Sequence, residues 1–133
     1  MNGQAASRTI LVVDDHAGFR ATARRLLEGD GWNVVGEATD AASAIESVAR
    51  LGPDVVLLDI GLPGRDGFHV AERIAAARSG DRGPAVVLVS SRERSEYGAR
   101  IAMSPVHGFI AKADLDGPRL RRLVADSLPG PTR

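Results

Sequence analysis

Between Asp54 and Gly67 the chain reads DVVLLDIGLPGRDG. Val55 to Leu58 are apolar in succession, with no alternation of apolar and polar positions. A strand buried on both faces of a parallel sheet has this composition. Asp59 ends the run. An unpaired carboxylate is costly to bury, which puts Asp59 at the mouth of the strand. A loop follows, in which Pro63 sets the entry to a turn and Gly64 and Gly67 permit positive φ. Asp66 is placed to cap the helix beyond.

Outward from this segment the pattern repeats. Ile10 to Val13 and Val86 to Val89 are also continuous apolar runs, and Trp32 to Glu37 and Phe109 to Ala111 complete a set of five. The stretches between them have helical spacing. Phe19, Ala23, Leu26 and Leu27 share one face of the first. Asp40 caps the second, whose stripe of Ala44, Ile45, Val48 and Ala49 ends at Gly52 and Pro53. Val70, Ile74 and Ala77 serve the third. A fourth, from about Arg92 to Ala102, is weakly apolar. The fifth carries Leu120, Leu123, Val124 and Leu128, with Asp116 as cap and Pro118 near its start.

Strand–helix alternation of this kind predicts a doubly wound α/β fold, (βα)5, with right-handed crossovers. In such sheets ligands bind outside the carboxyl ends of the strands. Asp14-Asp15, Asp59 and Ser90-Ser91 occupy three of those ends and Lys112 follows a fourth, whereas strand two ends in Ala38-Thr39. If strand two lies outside strand one, the chemically distinctive ends converge. That is the flavodoxin-like order 2-1-3-4-5. Crowded carboxylates repel and lose water, so their ionised forms call for a hard divalent cation such as Mg²⁺ (or Mn²⁺). Asp14-Asp15 taken alone would read as a helix-capping pair; Asp59, Ser90 and Lys112 at neighbouring ends change that reading.

Composition bounds the function classes. The 133 residues carry 17 basic and 17 acidic side chains, a balance that argues against direct nucleic-acid binding through a basic surface. Lys112 is the one lysine; the other basic residues are arginine. There is no cysteine for disulfides, thiol chemistry or zinc knuckles. No apolar run approaches the roughly 18 residues of a membrane helix, and the start, MNGQAASRTI, lacks the apolar core of a signal peptide. The expectation is a cytoplasmic single domain over 9–128, with a flexible tail over 1–8 and a tail or linker start over 129–133.

Five separated elements carry a resemblance: VVDDH (12–16), VVGEA (34–38), PDVVLLDIGLPGRDG (53–67), VVLVSS (86–91) and GFIAK (108–112). In order and spacing the chain resembles the receiver domain of two-component response regulators. VDDH and VVGEA are most similar to receivers that carry a LuxR-type helix-turn-helix output domain. The resemblance implies that Asp59 accepts a phosphoryl group from a sensor histidine kinase or phosphotransfer protein, forming an acyl phosphate. It implies Asp15, Asp59 and the Gly61 backbone carbonyl as metal ligands, with Asp14 holding the ion mainly through water. Ser90 takes the switch hydroxyl position, Phe109 the switch aromatic position, and Lys112 pairs with the phosphoryl oxygens. The expected partners are that donor and an output partner, and phosphorylation-dependent homodimerisation is left open. The protein would act on itself alone, by autocatalytic phosphorylation and autodephosphorylation, and would not turn over a metabolite.

Two rivals belong to other classes. An aspartate-nucleophile phosphatase of the haloacid dehalogenase type would place its nucleophile on strand one in a DxDx pattern, which Asp14-Asp15 does not match. A receiver-like interaction module without phosphorylation would have no need of Asp59, Ser90 and Lys112 together. The chain also departs from the receiver pattern. Ala113 stands where proline commonly follows the lysine, Phe109 brings no hydroxyl, and AMSPVH (102–107) replaces the usual small connection. Arg92 reads as solvated, as does His16 at the start of helix one. His69 and His107 have no assignable role. Arg20, Arg24 and Arg25, like Arg119, Arg121 and Arg122, read as charged solvent faces. Trp32 and Leu51 read as core or edge packing.

Overall fold

The computed structural model describes residues 8–78 and 83–125. Five strands, β1 (Thr9–Val13), β2 (Asn33–Ala38), β3 (Val55–Asp59), β4 (Ala85–Ser90) and β5 (Gly108–Ala111), form one parallel sheet in the order β2-β1-β3-β4-β5. The helices are α1 (Ala17–Gly29), α2 (Ala41–Leu51), α3 (Gly67–Ala76), α4 (Arg100–Met103) and α5 (Gly117–Leu123). The expected doubly wound topology is the one found.

Period-two alternation along each strand sorts the core into two layers. On one face Ile10, Val12, Val55, Leu57, Val87 and Val89 pack against Ala23 and Leu27 of α1 and Leu120 of α5, together with Val124. On the other, Leu11, Val13, Val56, Leu58, Val86 and Leu88 meet Ala44 of α2, Phe68, Ala71 and Ile74 of α3, and Ile101 of α4. β3 and β4 are buried at every position, as their unalternating sequences require.

The helix ends follow their caps. The Asp40, Asp66 and Asp116 side chains accept from the backbone N–H groups of Ser43, His69 and Arg119, and Gly52 closes α2 in the left-handed conformation at φ 57°. Several expectations need correction. Leu26, Ala49 and Ala77 are exposed, whereas Ser47 is a buried member of α2. The fourth helical stretch is broken into a 3-10 turn, Arg94–Tyr97, and the four-residue α4. Its residues offer Ile101 alone as a buried apolar anchor, too little to hold three turns against the sheet. Gly64 has the expected positive φ of 80°, but Gly67 does not. A Cβ on Gly67 would lie 2.6 Å from the Asp59 carbonyl oxygen and 2.8 Å from Ile60 Cα. Space, not φ, is what requires glycine there. Leu128 and the expected chain tails, Arg8 excepted, lie outside the described residues.

Candidate functional site

Sheet register assembles the site. Val13 stands opposite Leu58, so Asp14 and Asp59 emerge side by side from β1 and β3. Asp59 is level with Val89, and Ser90 with Ala111, which brings Lys112 to the same edge. The end of β2 contributes backbone only: Asp14 N–H donates to the Ala38 carbonyl at 3.0 Å. Gly67 lets α3 start directly above β3, its N–H donating to the Ile60 carbonyl at 2.8 Å.

Asp14 is fully buried and Asp59 is 4% exposed. Lys112 Nζ lies 2.6 Å from Asp14 Oδ2 and 3.7 Å from Asp59 Oδ2. The Gly61 N–H donates to Asp59 Oδ1 at 3.2 Å, and the His16 N–H donates to Asp14 Oδ1 at 2.8 Å. Burial raises the Asp59 carboxyl above its ordinary range, and the neighbouring charge of Asp14 adds to the rise. Lys112 and the Gly61 N–H offset part of it, while Asp15 works against them. Three carboxylates therefore face one ammonium, and negative charge is in excess.

A hard divalent cation fits this donor set. Asp14, Asp15, His16 and Asp59 each offer a ligand atom, all within 4.8 Å of one another. Asp14 Oδ2 is buried with no aligned hydrogen bond, held by the charge of Lys112. Carboxylate oxygens suit Mg²⁺ or Mn²⁺ better than imidazole does. His16 is solvent-exposed as expected, yet its Nδ1 also sits 3.1 Å from Asp14 and 3.2 Å from Asp15.

Ser90 and Phe109 both meet Tyr97. The Ser90 Oγ is 2.5 Å from the Tyr97 hydroxyl and accepts from the Arg92 N–H at 3.0 Å. The Tyr97 ring lies between Phe68 and Phe109, with centroids 6.0 and 6.2 Å away. Phe109 is half-buried against the α2–α3 layer. Arg92 is exposed, as expected, and Lys112 opens a short 3-10 turn that includes Ala113.

Sequence reasoning missed several of the contacts that build the site. Tyr97 was passed over inside a polar stretch, although it is the one tyrosine in the chain. Phe19 packs against the core as expected, and its ring also lies 4.6 Å beneath the Lys112 ammonium, giving it an aromatic floor. Arg20 and Arg24 are not a free solvent face. Arg20 donates to Glu37 at 2.8 Å and to the Asp14 carbonyl at 2.9 Å, and Arg24 bridges Glu37 and Glu28. The charge complementarity of Arg20 and Arg24 with Glu37 was the available signal. Arg121 likewise pairs with Asp30, joining α5 to the end of α1.

The chain is similar in sequence and fold to known proteins. The chain is 38% identical over 139 aligned residues to NarL, named as a transcriptional regulatory protein, of Mycobacterium tuberculosis, covering 97% of this chain and 63% of that protein. A transcriptional regulator of Pseudomonas aeruginosa is 31% identical over 105 residues, 79% of this chain and 49% of its own. The chain thus spans about half to two thirds of the length of these curated relatives. Among solved structures, the signal receiver domain of the M. tuberculosis NarL response regulator superposes with a TM-score of 0.77 at 32% identity, over 90% of this chain and 94% of that one. The response regulator domain of Thermotoga maritima CheB, at 23% identity, shares the fold with a TM-score of 0.77 over 94% and 99% of the two chains. Residues 10–125 match the family model of the response regulator receiver domain, and with the carboxylates, hydroxyl and lysine collected at the sheet's carboxyl edge the chain belongs to that family.

Proposed function

We propose that this receiver is a phosphorylation-driven switch whose acceptor is Asp59. The observation that carries the reading is the company Asp59 keeps: a nearly buried carboxylate at a strand end, beside Asp14 and Asp15, with the Lys112 ammonium 3.7 Å away. A carboxylate oxygen of Asp59 attacks phosphorus, and the bond to the donor's histidine nitrogen breaks as the new O–P bond forms. The imidazole leaves with its electron pair and takes up a proton. Transfer of this kind is governed by positioning and by neutralising charge on the phosphoryl oxygens. Lys112, a compact ammonium on a flexible stem, is suited to follow those oxygens, whereas arginine would impose a planar fork. Ser90 supplies a hydroxyl proton to one oxygen.

Asp15, Asp59 and the Gly61 carbonyl are the residues that would hold Mg²⁺ or Mn²⁺, with Asp14 acting mainly through water. The bound cation supplies positive charge to the phosphoryl group. The donor is a sensor histidine kinase or phosphotransfer protein, and the product state favours contacts with an output partner or a second copy of the chain. The chain modifies and demodifies itself alone, in the cytoplasm, without contacting nucleic acid or membrane directly. Its domain runs from 9 to 128, flanked by tails.

Intact mass after treatment with acetyl phosphate and Mg²⁺ tests the assignment. Wild type gains one phosphoryl group and Asp59→Asn gains none; equal gain by both removes Asp59 from the role, and gain by neither leaves a receiver-like interaction module. Mg²⁺ also raises the thermal unfolding midpoint of wild type by binding the folded site, and Asp15→Ala loses most of that increment. An undiminished Mg²⁺ response in Asp15→Ala would take Asp15 out of the ligand set.

A further inference from the structure

The contact between Ser90 and Tyr97 commits a proton. Ser90 is 4% exposed, so water does not compete freely for its hydroxyl. Its oxygen already accepts from the Arg92 N–H at 3.0 Å. A serine hydroxyl has one proton to donate, and the acceptor that the structure gives it is the Tyr97 oxygen at 2.5 Å. The reverse arrangement, with Tyr97 donating, would leave a buried serine proton without an acceptor, which is costly. Tyr97 lies in the otherwise exposed turn Arg94–Tyr97 and is itself half-buried, so its own proton can go to solvent. The Arg92 N–H donates to Ser90 Oγ, and we infer that the Ser90 hydroxyl in turn donates to the Tyr97 oxygen.

We propose that Tyr97 is a positioning residue that latches Ser90 until the phosphoryl group arrives. The inference rests on Asp59 being the phosphoacceptor. Once a phosphoryl group stands on Asp59, its oxygens are stronger, charged acceptors than a phenol. Ser90 turns its proton to them, and the Tyr97 hydroxyl loses its donor. The ring of Tyr97 meets Phe68 at the start of α3 and Phe109 on β5. The Arg100 guanidinium caps the same Phe68 ring at 4.1 Å and reaches Asp66 at 3.4 Å. Release of one hydroxyl is thus felt by three aromatic rings and by the first residue of α4. Phe109 has no hydroxyl of its own; the hydroxyl in this device comes from the turn before α4.

Because the chain holds a single tyrosine, the test has a single reporter. The 133-residue chain carrying ¹³C at the phenolic ring carbon is titrated with Mg²⁺ and beryllofluoride, and bound beryllofluoride is followed by ¹⁹F resonance. In wild type the bound ¹⁹F signals appear and the tyrosine carbon shifts with them. In Ser90→Ala the tyrosine carbon sits from the start near its released position and barely moves. Bound beryllofluoride with an unmoved wild-type tyrosine overturns the latch while leaving Asp59 as acceptor; no bound beryllofluoride overturns both. Tyr97→Phe keeps the ring contacts and frees Ser90, so labelling by acetyl phosphate accelerates by about fivefold, the factor set by one net hydrogen bond. Unchanged or slower labelling of Tyr97→Phe would also overturn the latch.

Discussion

Two connections frame the site and differ in what holds them. From β1 to β2 the chain passes through the 13-residue α1, which buries Ala23 and Leu27 and is tied down by Arg20 and Arg24 on Glu37. From β4 to β5 it passes through a four-residue 3-10 turn and the four-residue α4, where Ile101 is buried, Tyr97 is half-buried and Met103 is 83% exposed. Asp14, Asp15 and the Phe19 floor of Lys112 belong to the first connection. Ser90 and Tyr97 belong to the second. Two of the three carboxylates and the aromatic floor of Lys112 thus rest on the well-anchored side, and the two hydroxyls rest where rearrangement gives up less packing.

The contrast can be broken most directly by truncation. Leu27→Ala removes a fully buried side chain from α1 and lowers unfolding free energy by about 2–5 kcal/mol. Met103→Ala, on the exposed helix, shifts it by less than about 0.5 kcal/mol. Urea unfolding of both variants decides; similar losses would erase the distinction between the two connections. Gly67→Ala probes the junction between β3 and α3. Its methyl group would press on the Asp59 carbonyl, costing about 1–3 kcal/mol. Asp59 would be displaced with it, so phosphoryl labelling slows as well. Normal labelling in a destabilised Gly67→Ala would show that the acceptor is positioned independently of α3.

The smallest effect is electrostatic. The Asp59 carboxyl is raised in the folded protein above its ordinary value of 3.8, so in metal-free buffer its ionised form opposes folding at neutral pH. As pH falls through the folded-state value toward 3.8, the native state takes up the proton first and that penalty is relieved. Asp59→Asn is therefore the more stable protein at pH 7, by an increment that shrinks as pH is lowered. Unfolding midpoints of both proteins between pH 7 and pH 4 measure it. A constant difference would mean that Lys112 already neutralises the site.

How far the sequence could be read follows the same division. β1, β3 and β4 declared themselves because burial on both faces leaves no polar position in the run, and their ends placed Asp14, Asp59 and Ser90 at one edge. Lys112 came with β5. The second connection was less legible: Arg92 to Ala102 offers few apolar positions, so periodicity alone could not show that a 3-10 turn and a short α4 replace one helix. Leu26 was misassigned because an apolar residue beside a true core position looks the same in a heptad-like pattern. What Tyr97 and Phe19 do at the site was not legible for a different reason. Their roles arise from contacts across the fold, with Ser90 and Lys112, that no local spacing encodes. Gly67 was marked for the wrong property, since φ freedom is a local inference and the approach of Asp59 is not.

The solitary lysine has a consequence for the protein's reactivity toward electrophiles. Amine-directed reagents would find two primary amines in this chain, the α-amino group and Lys112, because every other basic side chain is a guanidinium or an imidazole. Lys112 is 15% exposed and sits between two carboxylates above an aromatic ring. An acylating agent that reached it would remove the site's one ammonium and leave three carboxylates facing each other. Among the side chains, acylation is thus confined to the chemical centre.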